Sequence, residues 1–232
     1  FKSKVILKNL GLIVIDEQHK FGVNQRKKLS DKGGKNCDVL LMSATPIPRT
    51  LTMTIYGDMD LSIIKEKPKF RKEVKTYSKL ENKMEDILKF VKKEINKNNQ
   101  VFWVCPLIEE SKKIDHTSAV KKFEHLRKIF PNKVALLHGK TTSEEKEVIL
   151  KKFLDNKFQI LVSTTVIEVG IDFPNANVII IENANKFGLS QLHQLRGRVG
   201  RGEKESSCIL MFKSSLTDNA KKRLQILKDT TD

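Results

Sequence analysis

Residues 134–162 read VALLHGKTTSEEKEVILKKFLDNKFQILV and contain two short apolar runs separated by a segment of helix length. The first run is Val134 to Leu137, and the second is Ile160 to Val162. Between them, Thr142 and Glu145 have the spacing of a capping box, which indicates that a helix begins there. The order strand, helix, strand is typical of an α/β fold with a parallel sheet.

Further apolar runs predict more strands of the same kind, buried on both faces of a parallel sheet. These runs are Leu12 to Ile15, Val39 to Met42, Val101 to Val104, Val178 to Ile181 and Cys208 to Phe212. One intervening segment is an amphipathic helix, because its apolar residues fall on one face at a helical period. Those residues are Leu80, Met84, Ile87, Leu88, Val91 and Ile95. We therefore expect an α/β fold in which helices flank a parallel sheet.

The stretch from Lys65 to Lys75 interrupts this alternation. It contains Pro68 and six lysines or arginines but few apolar residues, which is typical of an interdomain linker. We therefore predict two domains, residues 1–66 and 67–232. The first holds two or three strands, too few for a complete doubly wound sheet, whereas the second holds six or more.

The composition is that of a globular chain with a strongly basic balance. Of its 232 residues, 39% are hydrophobic, which is enough to bury a core. Lysines and arginines number 44 against 28 acidic residues, and the net charge of +16 favours a polyanionic partner such as nucleic acid. The lysines are scattered, however, so a solvated lysine-rich surface explains the charge equally well.

The three cysteines, Cys37, Cys105 and Cys208, are widely spaced and stand in apolar runs. This pattern predicts buried thiols rather than a disulfide framework or a zinc site, and it fits the reducing cytoplasm. No apolar stretch approaches the roughly 20 residues that cross a bilayer. We therefore expect no membrane partner.

Two carboxylates follow the first predicted strand. Asp16 and Glu17 stand at its carboxyl end, where open α/β sheets bind ligands. A site that hydrolyses a nucleotide needs one carboxylate for magnesium and another to orient or deprotonate the attacking water. We assign Asp16 to the Mg²⁺ that binds with ATP and Glu17 to the water. Taken alone, the pair is more typical of a solvated loop, and the segments that follow favour the site.

Two further segments follow strand ends and combine hydroxyls with small residues. Residues 43–46 (SATP) come after the second strand, and residues 164–172 (TTVIEVGID) come after Ile160 to Val162. Small residues permit close backbone approach, and hydroxyls can bond a neighbouring loop or a phosphate. The first segment is also compatible with an ordinary helix cap.

The most specific pattern is residues 191–201, QLHQLRGRVGR, which places three arginines and two glycines in its last six residues. An arginine supplied from a second domain stabilises charge on the γ-phosphate during transfer and makes hydrolysis depend on domain closure. We predict that Arg198 and Arg201 have this role. The alternative is a basic surface helix end broken by glycines.

These four segments, in this order, resemble motifs II, III, V and VI of superfamily 2 helicases. Residues 16–26 (DEQHKFGVNQR) and 43–51 (SATPIPRTL) resemble the RecG family and its transcription-repair relatives. Residues 103–111 (WVCPLIEES), together with 181–184 (IENA) and 187–193 (FGLSQLH), favour the RecG family. The resemblance extends over nearly the whole chain.

The resemblance implies two RecA-like domains that bind ATP and Mg²⁺ between them and move duplex DNA. Residues 1–66 would be the C-terminal remnant of the first domain, with motifs II and III, and residues 67–232 the second, with motifs IV to VI. The family remodels branched double-stranded DNA, such as stalled forks and Holliday junctions, in repair and recombination. We expect the full-length protein to be a cytoplasmic monomer.

The resemblance also assigns residues to the sites. Besides the four catalytic residues Asp16, Glu17, Arg198 and Arg201, those implied in binding ATP or coupling it to DNA are Gln18, His19, Ser43, Thr45, Gly170, Asp172 and Gln194. Those implied in binding DNA are Lys140, Thr164 and Thr165. Lys140 follows Val134 to Leu137 in a His-Gly-Lys sequence that is equally compatible with a simple turn.

The chain departs from the family in two ways. No Gly-x-x-x-x-Gly-Lys-Ser/Thr loop occurs in it, and no oligonucleotide-binding wedge domain precedes the motor. We expect both to lie upstream of Phe1 and the translocation hairpin of the family to follow Asp232, so we expect the chain alone to be inactive as an ATPase.

Three other functions remain open on the sequence. One is a DNA translocase of the transcription-repair coupling type, and another is an RNA helicase, which shares the same core motifs. The third is a non-catalytic, helicase-like module that only binds nucleic acid. Intact Asp16, Glu17, Arg198 and Arg201 argue against the third, because a scaffold has no chemical need for them.

Overall fold

The computed structural model describes residues 9–16, 37–43, 60–64, 66, 72–106, 112–164 and 172–230, and of residues 112–117 the backbone only. The chain divides into two compact units, Phe1–Lys65 and Glu66–Asp232. Each unit contains its own parallel sheet.

Within its described residues, the first unit contains two strands, β1 (Leu12–Ile15) and β2 (Asp38–Leu41), which pair in parallel. Both strands were predicted, β2 with its bounds shifted by one residue. The prediction that both faces of these strands are buried is wrong. Ile13 and Ile15 are buried, whereas Leu12 is 56% and Val14 is 52% exposed. The side chains of a strand alternate between its two faces, so only one face of this sheet is covered.

The second unit is built on a six-stranded parallel sheet with the strand order β3-β8-β7-β4-β6-β5. The strands are β3 (Val74–Leu80), β4 (Gln100–Val104), β5 (Val134–Leu137), β6 (Ile160–Ser163), β7 (Ala176–Ile181) and β8 (Ser206–Phe212). The helices are α1 (Met84–Asn96), α2 (Lys112–Ile129), α3 (Ser143–Leu154), α4 (Leu189–Arg196) and α5 (Asp218–Asp229). Single 3-10 turns lie at Glu81–Lys83 and Ala184–Lys186. The predicted α/β fold with a flanked parallel sheet is confirmed.

Helices cover both faces of this sheet. On one face, α1 and α2 pack their apolar side chains against alternate strand residues, including Trp103 and Ile180. On the other face, α3, α4 and α5 pack against Phe102 and Ile179. The central strands β4, β6 and β7 are buried along their whole length. Burial on both faces explains why they are continuous apolar runs rather than alternating ones.

Strand β3 was not predicted, and the predicted linker overlaps its start: Val74 and Lys75 belong to the strand. Leu80, placed on the amphipathic helix from the sequence, ends β3 instead. An edge strand with one exposed face alternates apolar and polar residues, and lysines on it prevent pairing with another chain. Because of this composition, the sequence of β3 resembles a polar linker.

The helix predicted at Thr142 begins as expected. The Glu145 N–H donates to Thr142 Oγ1 at 3.2 Å, and the Thr142 N–H donates to Glu145 Oε2 at 3.0 Å. The hydrogen bonds from the backbone and then the hydroxyl of Thr142 lower the pKa of the Glu145 carboxyl. Helix α5 starts in a related way, with the Ala220 N–H donating to Thr217 Oγ1 at 3.3 Å.

Cys105 and Cys208 are buried thiols, as predicted, but Cys37 is only half-buried because it precedes the partly uncovered strand β2. Burial raises the pKa of Cys208 to about 12. Burial and the nearby Glu182 carboxylate also raise the pKa of Cys105. None of the helices in the described ranges is long and apolar enough to cross a membrane.

Candidate functional site

The six strands of the second unit run in the same direction, so their ends define two distinct edges of the sheet. We call the side where the strands begin the amino edge and the side where they end the carboxyl edge. The predicted site residues of this unit divide between the two. Asp172 and Arg201 precede β7 and β8 at the amino edge, whereas Lys140 and Thr164 follow β5 and β6 at the carboxyl edge.

At the amino edge, the structure brings together two residues predicted for the nucleotide site. Arg201 Nη1 lies 3.7 Å from Asp172 Oδ1, and the two side chains are 40% and 58% exposed. An ion pair this exposed contributes little to stability. The pair instead places the Arg201 guanidinium at the surface, where this group can bond phosphate oxygens.

The loop that carries Arg201 has a backbone conformation that requires glycine. We call residues 197–205, between α4 and β8, the arginine loop. Gly200 has a φ of +77°, and a Cβ atom there would lie 2.8 Å from Val74 Cγ2 on β3. A side chain at this position would be strained and would overlap the edge strand. The second glycine of the arginine motif therefore lets the loop pass close to the sheet.

The first arginine of the motif has a different role from the other two. Arg196 is buried at the end of α4, and its Nη1 donates to the Leu227 carbonyl oxygen at 2.7 Å and to the Thr230 carbonyl oxygen. It thereby satisfies carbonyl groups at the end of α5, which have no partner within the helix. Arg196 thus fastens α5 to the arginine motif, a role that the sequence analysis missed.

A second arginine fastens α5 to the turn that precedes α4. Arg223 donates to the carbonyl oxygens of Phe187 and Asn185, both at 3.1 Å. The Gly188 N–H donates to Gln191 Oε1 at 2.9 Å at the start of α4. Helix α4 is therefore held at both ends. Gln194 and Arg198, the other two predicted residues of this motif, are half-buried.

At the carboxyl edge, Lys140 lies in a tight turn after β5. The Lys140 N–H donates to His138 Nδ1 at 3.1 Å, and the Thr141 N–H donates to the His138 carbonyl oxygen at 3.0 Å. The His138 N–H donates to Thr141 Oγ1 at 3.1 Å. The turn is thus formed by its own side chains and leaves Lys140 exposed.

Thr164 stands one residue beyond β6 and is 4% exposed. Its hydroxyl is therefore not at the surface, and its assignment to DNA stays a prediction. Ser163, at the end of the strand, is fully buried, and its hydroxyl has no hydrogen-bond partner within the described part of the chain.

One carboxylate gathers several groups at the ends of β4 and β7. Glu182 accepts from Trp103 Nε1 at 2.9 Å and pairs with Lys122 Nζ of α2 at 2.7 Å. The Lys122 ammonium also lies 5.4 Å from the Trp103 ring centroid, and Cys105 Sγ lies 3.8 Å from Glu182 Oε2. This cluster ties α2 to the sheet. Trp103 was expected in the core, but the carboxylate partner was not foreseen.

In the first unit, the structure places Asp16 and Ser43 at the same edge of their sheet. Asp16 directly follows β1 and Ser43 stands two residues beyond β2, and both are exposed. The Met42 N–H donates to the Ile15 carbonyl oxygen at 2.8 Å, which continues the pairing up to these two residues. A carboxylate and a hydroxyl offer the oxygen ligands that Mg²⁺ prefers, and the metal usually takes its remaining ligands from water and phosphate.

Six predicted site residues lie outside the described ranges: Glu17, Gln18, His19, Thr45, Thr165 and Gly170. Their roles stay predictions. Within the described ranges, no group of three or more histidine, cysteine or acidic residues is arranged to hold a metal ion.

Residues 82–203 match the family described as "Helicase conserved C-terminal domain", and residues 1–54 match "DEAD/DEAH box helicase". The first match covers more than half of the chain and includes both edges of the second sheet. The chain belongs to the helicase C-terminal domain family.

Comparison with characterised proteins confirms the resemblance to the RecG family. The chain is 50% identical over 233 residues to "ATP-dependent DNA helicase RecG" of Bacillus subtilis (strain 168), covering 100% of the chain and 34% of that protein. It is 51% identical over 236 residues to the protein of the same name from Aquifex aeolicus (strain VF5), covering 100% of the chain and 30% of that protein. The chain thus spans about a third of the length of the curated relatives it matches.

Solved structures agree with this assignment. The chain superimposes on a structure described as "Structure of RecG bound to three-way DNA junction" with a TM-score of 0.78 and 45% identity, covering 100% of the chain and 30% of the other. It also resembles "S. cerevisiae Dbp5 L327V bound to RNA and ADP BeF3", with a TM-score of 0.70, 18% identity and coverage of 96% and 58%. At that identity, the second likeness concerns the fold alone.

Proposed function

We propose that the complete gene product is an ATP-dependent DNA helicase that translocates on duplex DNA and remodels branched DNA in repair and recombination. The observation that carries the proposal is the separation of the two edges in the second unit. An exposed arginine and its acidic partner lie at the amino edge, and an exposed lysine lies at the carboxyl edge. The names of the relatives, and the three-way DNA junction bound in one related structure, support the same function.

In this proposal, residues 1–66 contribute the C-terminal part of a first RecA-like domain, and residues 67–232 form the second. The two compact units and the two family matches are consistent with that division. The ligands would be ATP and Mg²⁺.

Each site residue would have a distinct task in hydrolysis. Asp16 would hold Mg²⁺, which would neutralise charge that develops during transfer. Glu17 would orient the attacking water or accept its proton. Arg198 and Arg201 would donate to oxygens of the γ-phosphate and stabilise the transition state. Asp172 would keep the Arg201 guanidinium in place until a phosphate arrives.

The connection between β6 and β7 would couple the nucleotide to DNA. It leaves the carboxyl edge at Thr164 and returns to the amino edge at Asp172. A shift of Arg201 on hydrolysis would act directly on Asp172, whose Oδ1 lies 3.7 Å from Arg201 Nη1.

The exposed Lys140 at the carboxyl edge would contact the DNA backbone. A lysine offers a point charge to a phosphate and carries no sequence information. Remodelling of branched DNA requires binding that does not depend on sequence, so such contacts fit the proposal. The net charge of +16 would favour association with DNA. We propose a cytoplasmic protein that acts as a monomer.

The test is ATP hydrolysis by the complete gene product with forked and with linear duplex DNA, for the wild-type protein and for Glu17→Gln. We expect strong stimulation by forked DNA and a loss of turnover of about a thousandfold in Glu17→Gln. The matched control is Glu147→Gln, the same change at an exposed position of α3, which should leave turnover unchanged. The 232-residue chain, which contains no Gly-x-x-x-x-Gly-Lys-Ser/Thr motif, should show negligible turnover.

Each of the other functions predicts a different result. Equal stimulation by forked and linear duplex would favour a translocase of the transcription-repair type. Stronger stimulation by RNA would favour an RNA helicase. DNA binding without any turnover in the wild-type protein would favour a non-catalytic module. Unchanged turnover in Glu17→Gln would show that the water-activating residue is assigned wrongly.

A further inference from the structure

A buried hydrogen-bond network lies at the amino edge of the second sheet. Asn177, which is fully buried, donates from Nδ2 to Asn99 Oδ1 at 3.1 Å and to the Asn175 carbonyl oxygen at 3.2 Å. Asn99, itself 5% exposed, donates from Nδ2 to Glu94 Oε2 at 2.7 Å. These side chains link the end of α1 to the starts of β4 and β7.

The network reaches the arginine loop at one residue, and it also reaches the first residue of β8, which directly follows the loop. Lys204, within the loop, donates from Nζ to Asn99 Oδ1 at 3.3 Å. Ser206, the first residue of β8, donates from Oγ to Asn177 Oδ1 at 3.2 Å. The Cβ and Oγ atoms of Ser206 also face Gly200, where an added Cβ would lie 3.6 Å from both. The end of the loop that follows Arg201 is therefore held to the network.

We propose that Asn99 and Asn177 are positioning residues for ATP hydrolysis, which hold the arginine loop in the orientation in which Arg201 reaches the nucleotide. This inference rests on the proposed function. Neither side chain touches a phosphate in this account. They act through Lys204 and Ser206 on the loop, and through the loop on Arg201.

The chemistry of the network favours a positioning role over simple packing. Burying several amide and carboxylate groups costs free energy unless all are bonded, and apolar side chains would fill the same space at lower cost. Hydrogen bonds are directional, however, so a network of this kind fixes one arrangement where apolar contacts permit several. A loop that must place a guanidinium against a phosphate needs that precision.

The test compares Asn177→Leu, Arg201→Ala and the double variant in the complete gene product, by DNA-stimulated ATP turnover as a function of ATP concentration. We expect Asn177→Leu to lower kcat about tenfold and to leave KM for ATP within about twofold. In the Arg201→Ala background it should cause no further loss, because a residue that acts through Arg201 has nothing left to position.

The matched control is Gln100→Leu. Gln100 is also a buried amide beside the network, but its Nε2 donates to the carbonyl oxygens of Phe153 and Phe158, away from the arginine loop. It should lower thermal stability and leave kcat within about twofold of wild type. A second variant, Lys204→Met, removes only an exposed cation and so retains the fold. It should lower kcat a few-fold, again only when Arg201 is present.

Three results would overturn the inference. The first is an unchanged kcat in both Asn177→Leu and Lys204→Met. The second is an equal loss in the presence and absence of Arg201, and the third is an equal loss of kcat in Gln100→Leu, which would indicate a general effect on the fold. If Asn177→Leu does not fold, the kcat of Lys204→Met, measured with and without Arg201, tests the inference instead. Failure of the proposed function is distinct, because there the wild-type protein itself shows no DNA-dependent turnover or Arg201→Ala has no effect.

Discussion

The amino and carboxyl edges of the second sheet are organised in different ways. At the amino edge, Asp172 and Arg201 form an exposed pair above a buried network of amide and hydroxyl groups. At the carboxyl edge, the residues predicted for DNA are an exposed lysine in a self-contained turn and a buried threonine. The amino edge is built around one functional group, the Arg201 guanidinium, whereas the carboxyl edge offers side chains that are independent of one another.

This difference has a consequence for the size of mutational effects. Charge stabilisation in a transition state depends on one guanidinium in one position, so its loss is costly. Binding to a phosphate backbone is a sum of many similar contacts, so each contributes little. Substitutions at the amino edge should therefore alter turnover strongly, and those at the carboxyl edge should alter DNA binding weakly.

The largest effect is expected for Arg201→Ala. DNA-stimulated ATP turnover by the complete gene product should fall about a thousandfold, because an arginine that stabilises the transferring phosphoryl group has an effect of that size. Lys213→Ala, at an exposed position that follows β8 on the opposite edge, is the control and should retain full turnover. A loss of less than about tenfold in Arg201→Ala would contradict the assignment of the amino edge to the nucleotide.

An effect of intermediate size is expected for Arg196→Met, on stability. The change keeps the volume of the aliphatic stem and removes the two hydrogen bonds to the end of α5. We expect a loss of about 3 kcal/mol in the free energy of unfolding, since hydrogen bonds from a charged group are involved. Urea unfolding followed by fluorescence reports on this unit, because Trp103 is the only tryptophan of the chain and lies in its core.

Arg127→Met is the control for this change, because Arg127 is an exposed residue on α2. It should leave the unfolding midpoint unchanged. If the wild type and Arg196→Met unfold at the same urea concentration, α5 is held by its apolar contacts alone. The proposed difference in role between the buried Arg196 and the exposed Arg201 would then be contradicted.

The smallest effect is expected for Lys140→Ala, on DNA binding. Loss of one phosphate contact should weaken binding of forked and linear duplex equally and reduce the slope of log K against log salt concentration by about one. Fluorescence anisotropy of labelled DNA over a range of salt concentrations measures both quantities. A selective loss for one DNA shape would mean that the carboxyl edge reads shape rather than charge.

Much of the fold follows from the sequence, because the central strands are buried on both faces and form continuous apolar runs. The edge strand β3 was missed for the opposite reason: its exposed lysines alternate with the residues that pack. Burial of β1 and β2 was overestimated, since an apolar run alone does not reveal whether both faces of its sheet are covered. Leu12 and Val14 illustrate this limit.

The candidate site could likewise be predicted only in part. Asp172 and Arg201 lie close together because they precede two neighbouring strands, β7 and β8, and their roles at a nucleotide site stay predictions. The buried roles of Arg196 and Asn177 were not predicted, because a buried polar residue and a surface one are the same letter in the sequence. Asn177 directly precedes an apolar run, but asparagine is also common in turns, so this position alone does not reveal its burial.

The central claim is that the nucleotide acts at the amino edge and DNA at the carboxyl edge. It is tested most directly by measuring kcat at saturating DNA and the dissociation constant for forked DNA, for both Arg201→Ala and Lys140→Ala. We predict that Arg201→Ala lowers kcat and leaves the dissociation constant unchanged, whereas Lys140→Ala raises the dissociation constant and leaves kcat unchanged. If both variants change both quantities in the same proportion, the two edges do not have separate functions and the account is wrong.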